Sequence, residues 1–207
     1  PIWAAAARVI IGFLSVALLL PFFGKRVKIP PDTVKLIALV AMLNMVIPFL
    51  LISWAMKHVE AGVGALLLGT TPFIAMIMGH FLTNDERITG GRILSVILAI
   101  SGILVLVGRD AISGLGSAAI LSQLAIILAG GCYVSAGFVM RRIDMEPITF
   151  TAIALGVGSI VLGAFALAFA GLPKTDVSSE KVFALIWLGA VPTGLAYMLR
   201  FFLVKRV

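Results

Sequence analysis

Acidic side chains are scarce in this chain, and the long apolar runs are without them. Aspartate and glutamate number nine in 207 residues, and all nine fall in short polar connections or at the edges of runs. Charged residues of both signs make up 12%, about half the share of a soluble domain. There is one cysteine, Cys132, which excludes an internal disulfide framework and a CxxC metal site. Its simplest role is a small residue in helix packing. The histidines are two, His58 and His80, and along a helix they would stand about 33 Å apart, too far to share a metal. Neither H-E-x-x-H nor G-x-S-x-G occurs. With no convergent catalytic groups and no metal-ligand cluster, the chain is expected to need no cofactor and to carry no catalytic residues. An intramembrane enzyme is the remotest of the alternatives.

What the chain has is apolar length. Hydrophobic residues make up 61%, against about 45–50% in soluble domains, and the mean hydropathy is +1.18. A water-soluble fold of this size has no place to hide that surface, so the chain reads as an integral membrane protein. Seven runs are long enough to span a bilayer: 2–23, 34–56, 61–83, 90–108, 117–140, 148–170 and 182–204. Continuous runs exclude barrel strands, which alternate, and leave helices as the way to satisfy the backbone in lipid. The expected fold is an all-α, polytopic membrane helix bundle.

The net charge of +7 is not gathered into a patch, so it does not point to nucleic acid. It sits between the runs, where positive charge marks the cytoplasmic side. Eleven of the sixteen lysines and arginines fall in the first, third and fifth connections and at the C-terminal end, Arg200 among them. Four fall in the second, fourth and sixth connections: Lys57, Arg109, Lys174 and Lys181. The first set is therefore assigned to the cytoplasm. Trp3, Trp54 and Trp187 then lie near the outer ends of their runs, as an interfacial belt would. The first run is thus read from outside to inside. That direction predicts at least one preceding span, with Pro1 as the edge of a longer protein.

A shift of 148 residues superimposes run 2–23 on 150–171, and 34–56 on 182–204. Five runs separate each pair, and five is odd, so the second copy is upside down. Inverted repeats of this kind are characteristic of secondary transporters. The expectation is a ten-span protein of two five-helix units. Seven spans are present: residues 1–108 in the first repeat and 115–207 in the second.

Several stretches also resemble a known family. They are the opening P-x(6)-R, WAMKHVEAG at 54–62, ALLLGTTPFIAMIMGHFLTNDERIT at 65–89 and SGILVLVG at 101–108. Together they are similar to the EamA-type drug/metabolite transporter superfamily, with Pro72, Glu86, Arg87 and Thr89 in its proline-then-Glu-Arg-hydroxyl pattern. The resemblance implies a multi-pass plasma-membrane carrier that exports amino acids or other small metabolites. Its partners would be a small-molecule substrate and the lipid bilayer, with a homodimer as an option and no nucleic acid. A non-transporting membrane scaffold is the rival class.

In such carriers the site lies near mid-span, where proline or glycine interrupts a helix. Run 34–56 carries Asn44 and Pro48 there, run 61–83 carries Thr71 and Pro72, and run 182–204 carries Thr193 and Tyr197. Tyr133 lies in run 117–140. These residues, with Arg8, form the candidate substrate site. Hydroxyls also bond their own helix, which is the plainer reading of Thr70, Thr71 and Ser159. Arg8 has two readings. It is an anchor whose long side chain reaches the outer interface, or it lines the cavity and holds a carboxylate or phosphate with its planar fork. Glu86 and Arg87 are read as a cytoplasmic turn or gate. With no carboxylate inside the seven runs, no proton relay is apparent in them.

Overall fold

The computed structural model describes residues 2–23, 31–82, 89–91, 93–98, 101–102, 105, 117–173 and 178–204. No strand occurs among them, and the fold is an all-α polytopic membrane bundle. Six helices among the described residues are long and apolar enough to cross a membrane. Of the seventh expected span, 90–108, helix is described at 90–91, 93–98, 101–102 and 105, and the rest lies outside the described residues.

Helix α1 covers Ile2–Leu19 and ends in a 3₁₀ turn at Leu20–Phe23. The turn falls at Pro21, because proline disfavours α geometry in the residue before it. The second span is not one helix. It comprises α2 (Val34–Ala41), a π-helical segment at Met42–Val46, and α3 (Ile47–Ala55). The third span is broken as well, into α4 (Ala61–Leu68) and α5 (Thr71–Leu82). Helices α6 (Ser117–Met140) and α7 (Pro147–Ala170) are unbroken. The last span repeats the second: α8 (Ser179–Gly189), a π segment at Ala190–Leu195, then α9 (Ala196–Val204).

Packing divides the chain into two compact units: Pro1–Ile47 with Ala136–Val207, and Pro48–Ser135. In the first unit α1 lies antiparallel to α7. Trp3, at the start of α1, donates its indole N–H to the Gly171 carbonyl just past the end of α7, at 2.9 Å. Further along α1, Phe13 lies against Gly156. The buried stripe of α1 is Ala5, Val9, Gly12 and Val16, spaced four, three and four residues apart, so it forms one face. Helix α7 is buried along Leu155, Ser159, Leu162 and Ala166, and its Gly158 lies against Val9 of α1. Half of these stripe residues are small, which lets membrane helices approach closely. Leucines on the other faces, such as Leu18 at 72% exposed, are what hydrocarbon solvates.

The second unit has its own small core. Ala55, Ala125 and Ile126 are buried, with Leu51, Met56, Val59, Leu67 and Leu68 packed on them. Gly130 of α6 stands where the third span breaks, and a Cβ there would lie 3.1 Å from the Thr71 hydroxyl.

Candidate functional site

The local breaks in these spans follow from proline. A helical carbonyl accepts from the N–H four residues on, and proline has none. In lipid a carbonyl left without a donor costs several kcal/mol, so another donor must be supplied. Three mid-span prolines create this demand. Pro48 deprives the Asn44 carbonyl, Pro72 deprives Leu68, and Pro192 deprives Leu188. A hydroxyl answers each. Tyr197 donates to the Asn44 carbonyl at 2.9 Å, Thr71 donates to Leu68, and Thr193 donates to Leu188 at 2.9 Å. Thr70 does the same for Leu67 at 2.6 Å, and Ser159 bonds Leu155 at 2.7 Å.

Two of these hydroxyls belong to a larger polar cluster. Thr193, fully buried, also accepts a hydrogen bond of 2.8 Å from Nε of Arg8. A relay therefore runs from the α1 guanidinium through Thr193 to the Leu188 carbonyl. Asn44, 1% exposed, is held twice from the last span. Its carbonyl accepts from Tyr197, and its side-chain Oδ1 accepts from Nη1 of Arg200 at 2.7 Å. Thr193, Tyr197 and Arg200 are spaced four and three apart and so share a face. The last span thus reaches α1 with one residue and the second span with two.

Close backbone contact sets this geometry. A Cβ at Gly189 would fall 2.6 Å from Ile11 Cβ and 2.9 Å from the Arg8 carbonyl, and one at Gly12 would fall 3.0 Å from Thr193 Cγ2. Glycine at both places lets α1 and the last span meet backbone to backbone, which brings Arg8 within reach of Thr193.

Of the residues expected from sequence, the structure gathers Arg8, Asn44, Thr193 and Tyr197 within the first unit. Pro48, Thr71, Pro72 and Tyr133 belong to the second unit. Glu86 and Arg87 lie outside the described residues. Arg200 is the residue that sequence reasoning left out of the site. It was counted with the basic residues of the C-terminal end, whereas its side chain turns inward onto Asn44. The available signal was its register with Thr193 and Tyr197. Arg8 is held by the last span. Its Nε bonds a residue ten positions from the nearer end of the Ser179–Leu203 span, about 15 Å deep at the helical rise.

The profile of the EamA-like transporter family matches residues 1–108, just over half of the chain. This chain belongs to the EamA-like transporter family. The EamA chain is also 21% identical over 211 residues to a protein named "Uncharacterized transporter YoaV" from Bacillus subtilis (strain 168). That alignment covers 100% of the EamA chain and 71% of the relative. A solved crystal structure has the same fold, with a TM-score of 0.79 at 18% identity, and it too covers 100% of the EamA chain and 71% of that chain. The EamA chain is therefore a multi-pass membrane protein of a transporter family.

Proposed function

We propose that the chain is the greater part of a carrier that moves a small organic solute across the plasma membrane by alternating access. One observation carries the reading. Two spans leave α geometry at mid-depth, and the polar side chains of Arg8, Asn44, Thr193, Tyr197 and Arg200 converge there. Interrupted helices with polar groups near the midplane are how secondary transporters build a site. A scaffold has no use for two arginines and an asparagine inside its spans, where they are costly.

Two further features support an inverted repeat. The π segments begin at Met42 and Ala190, which the 148-residue shift superimposes. The antiparallel pair α1 and α7 is also a pair under that shift. On this reading the repeats cover 1–108 and 115–207, and the first, third and fifth connections face the cytoplasm. The family supports an amino acid or small metabolite as cargo, moved outward, with no chemical conversion, and the carrier works singly or as a homodimer.

The test is flux. The full-length protein, reconstituted in liposomes, is expected to move at least one labelled amino acid, nucleoside or small drug above protein-free vesicles. No flux across such a panel overturns the carrier reading.

A further inference from the structure

The last span changes register just before its final helix. The amide of Ala196, the first residue of α9, donates to the Thr193 and Val191 carbonyls. Val191 is five residues back, where an α-helix uses the fourth, Pro192. The segment Ala190–Leu195 thus holds one residue more than α geometry takes. Each residue turns an α-helix by about 100°, so that extra residue sets where every α9 side chain points. Three of them meet other helices. Tyr197 and Arg200 bond Asn44 of the second span at 2.9 and 2.7 Å. Phe201, fully buried, stacks on Phe150 of α7 with ring centroids 4.1 Å apart. Their spacing of three and four residues from Tyr197 puts all three on one face. Around Phe150 the bundle closes in. Residues 148 to 152 of α7 are all buried, whereas beyond Ser159 its buried residues are Leu162 and Ala166. Upstream of α9 the span is tied to α1 instead, through the Arg8–Thr193 bond and the close approach of Gly12 to Gly194.

Resting on the carrier reading above, we infer that α9 is the moving arm of a gate at the end of the bundle where α7 begins, with the π segment Ala190–Leu195 as its hinge. Taking the extra residue into α geometry turns α9 by about 100°. Tyr197, Arg200 and Phe201 then leave their partners together, while Arg8 and Thr193 stay paired upstream. The wide turn does what α geometry does not: it aims Tyr197 and Arg200 at Asn44. The polar part of this latch ties the motion to water. When α9 turns, the Asn44 carbonyl and Oδ1 lose the donors that Tyr197 and Arg200 supply. In lipid that loss is prohibitive, and it becomes cheap once water fills the opening. The turned state is therefore favoured when this end stands open to water, as a carrier's cavity does in one half of its cycle. The Phe150–Phe201 stack is the apolar part of the same closure.

The test places spin labels at Leu18 of α1 and Leu203 of α9, both exposed, in full-length Cys132→Ser protein in liposomes. Pulsed electron resonance reads their separation. Turning a helix about 10–12 Å wide through about 100° moves a label on its surface by up to about 8 Å. Arg200→Gln is expected to raise the ratio of displaced to original distance about tenfold or more, the scale of one charge-assisted hydrogen bond. Asn44→Ala opens the same latch from the other side and should act alike. Arg142→Gln, at an exposed position after α6, should leave the ratio unchanged. Deleting Leu195 makes the bond from Ala196 to Val191 an ordinary four-residue one, with α9 still aimed at Asn44. In the Arg200→Gln background that deletion should return the original distance. One unchanged distance in the wild type, Arg200→Gln and Asn44→Ala overturns the inference, because a latch that only stabilises would lose stability and gain no second distance. A displaced population that survives the deletion overturns it too. The labels report on α9 whether or not a solute moves. A displaced population without flux across the panel would retire the carrier and leave the moving arm standing. Flux with a single fixed distance would do the reverse.

Discussion

Tyr197 is bound to the Asn44 carbonyl because Pro48 cannot serve it, and this makes a tyrosine part of the backbone structure of a different span. Removing the hydroxyl leaves a buried carbonyl short of a donor, which costs about 1–3 kcal/mol. Tyr197→Phe is therefore expected to lower unfolding stability in detergent by about that amount. Pro48→Ala restores an N–H at position 48, so the same Tyr197→Phe change should cost less in a Pro48→Ala background. Equal losses in both backgrounds would mean that proline is not the reason for the tyrosine. Thr193 has a heavier load, since its hydroxyl accepts from Arg8 and donates to Leu188. Thr193→Val, which keeps the shape and loses both bonds, is expected to cost about 1–3 kcal/mol, and Thr193→Ser to recover most of it. Much of this was legible in the sequence. A hydroxyl next to a mid-span proline, as in Thr71-Pro72 and Pro192-Thr193, announces its own use. Arg200 was not legible because seven residues separate it from Thr193, far enough toward the chain end to look like an interface charge.

At the scale of elements, the second and last spans depend on a wide turn in mid-membrane and on glycine contacts that hold α1 against one of those turns. A π turn takes in one extra residue, and such turns are often found where a helix is used. The sequence marked the second span through Asn44 and Pro48 and the last through Thr193 and Tyr197, but it did not distinguish a π segment from a kink. That choice depends on which donors the neighbouring helices bring to the deprived carbonyls. The glycine contacts make a sharper claim. At Gly189 an added Cβ would collide with Ile11 Cβ and the Arg8 carbonyl, whereas at Gly163 it would meet nothing within 4 Å. Gly189→Ala is expected to push α1 away and cost about 1–3 kcal/mol, as overpacking does. Gly163→Ala should be neutral, or stabilise by up to about 1 kcal/mol through helix propensity. Thermal unfolding of the two variants side by side checks the contrast.

At the scale of the whole molecule, composition alone made the membrane bundle legible, since nothing else accommodates 61% hydrophobic residues. The proposed repeat was legible only as a shift in run boundaries. The two π segments now lie at that same shift, 42 against 190, although few side chains match. Arg8 falls over Gly156, Tyr197 over Phe49 and Arg200 over Ile52. On the repeat reading the two copies share the backbone interruption but carry different polar groups, Arg8 and Asn44 in the first and Thr193, Tyr197 and Arg200 in the second, which is why identities were too few to show the site. Direction across the bilayer can be decided through Lys57 and Arg141, both exposed at helix ends. Between them lie the broken third span, α6 and the run 90–108. If that run crosses, the two residues face opposite sides; if it does not, they face the same side. In a Cys132→Ser background, Lys57→Cys is expected to react with a membrane-impermeant maleimide on intact cells, and Arg141→Cys only after permeabilisation. Labelling of both from one side would remove the seventh span, and with it the odd count that turns the second repeat upside down.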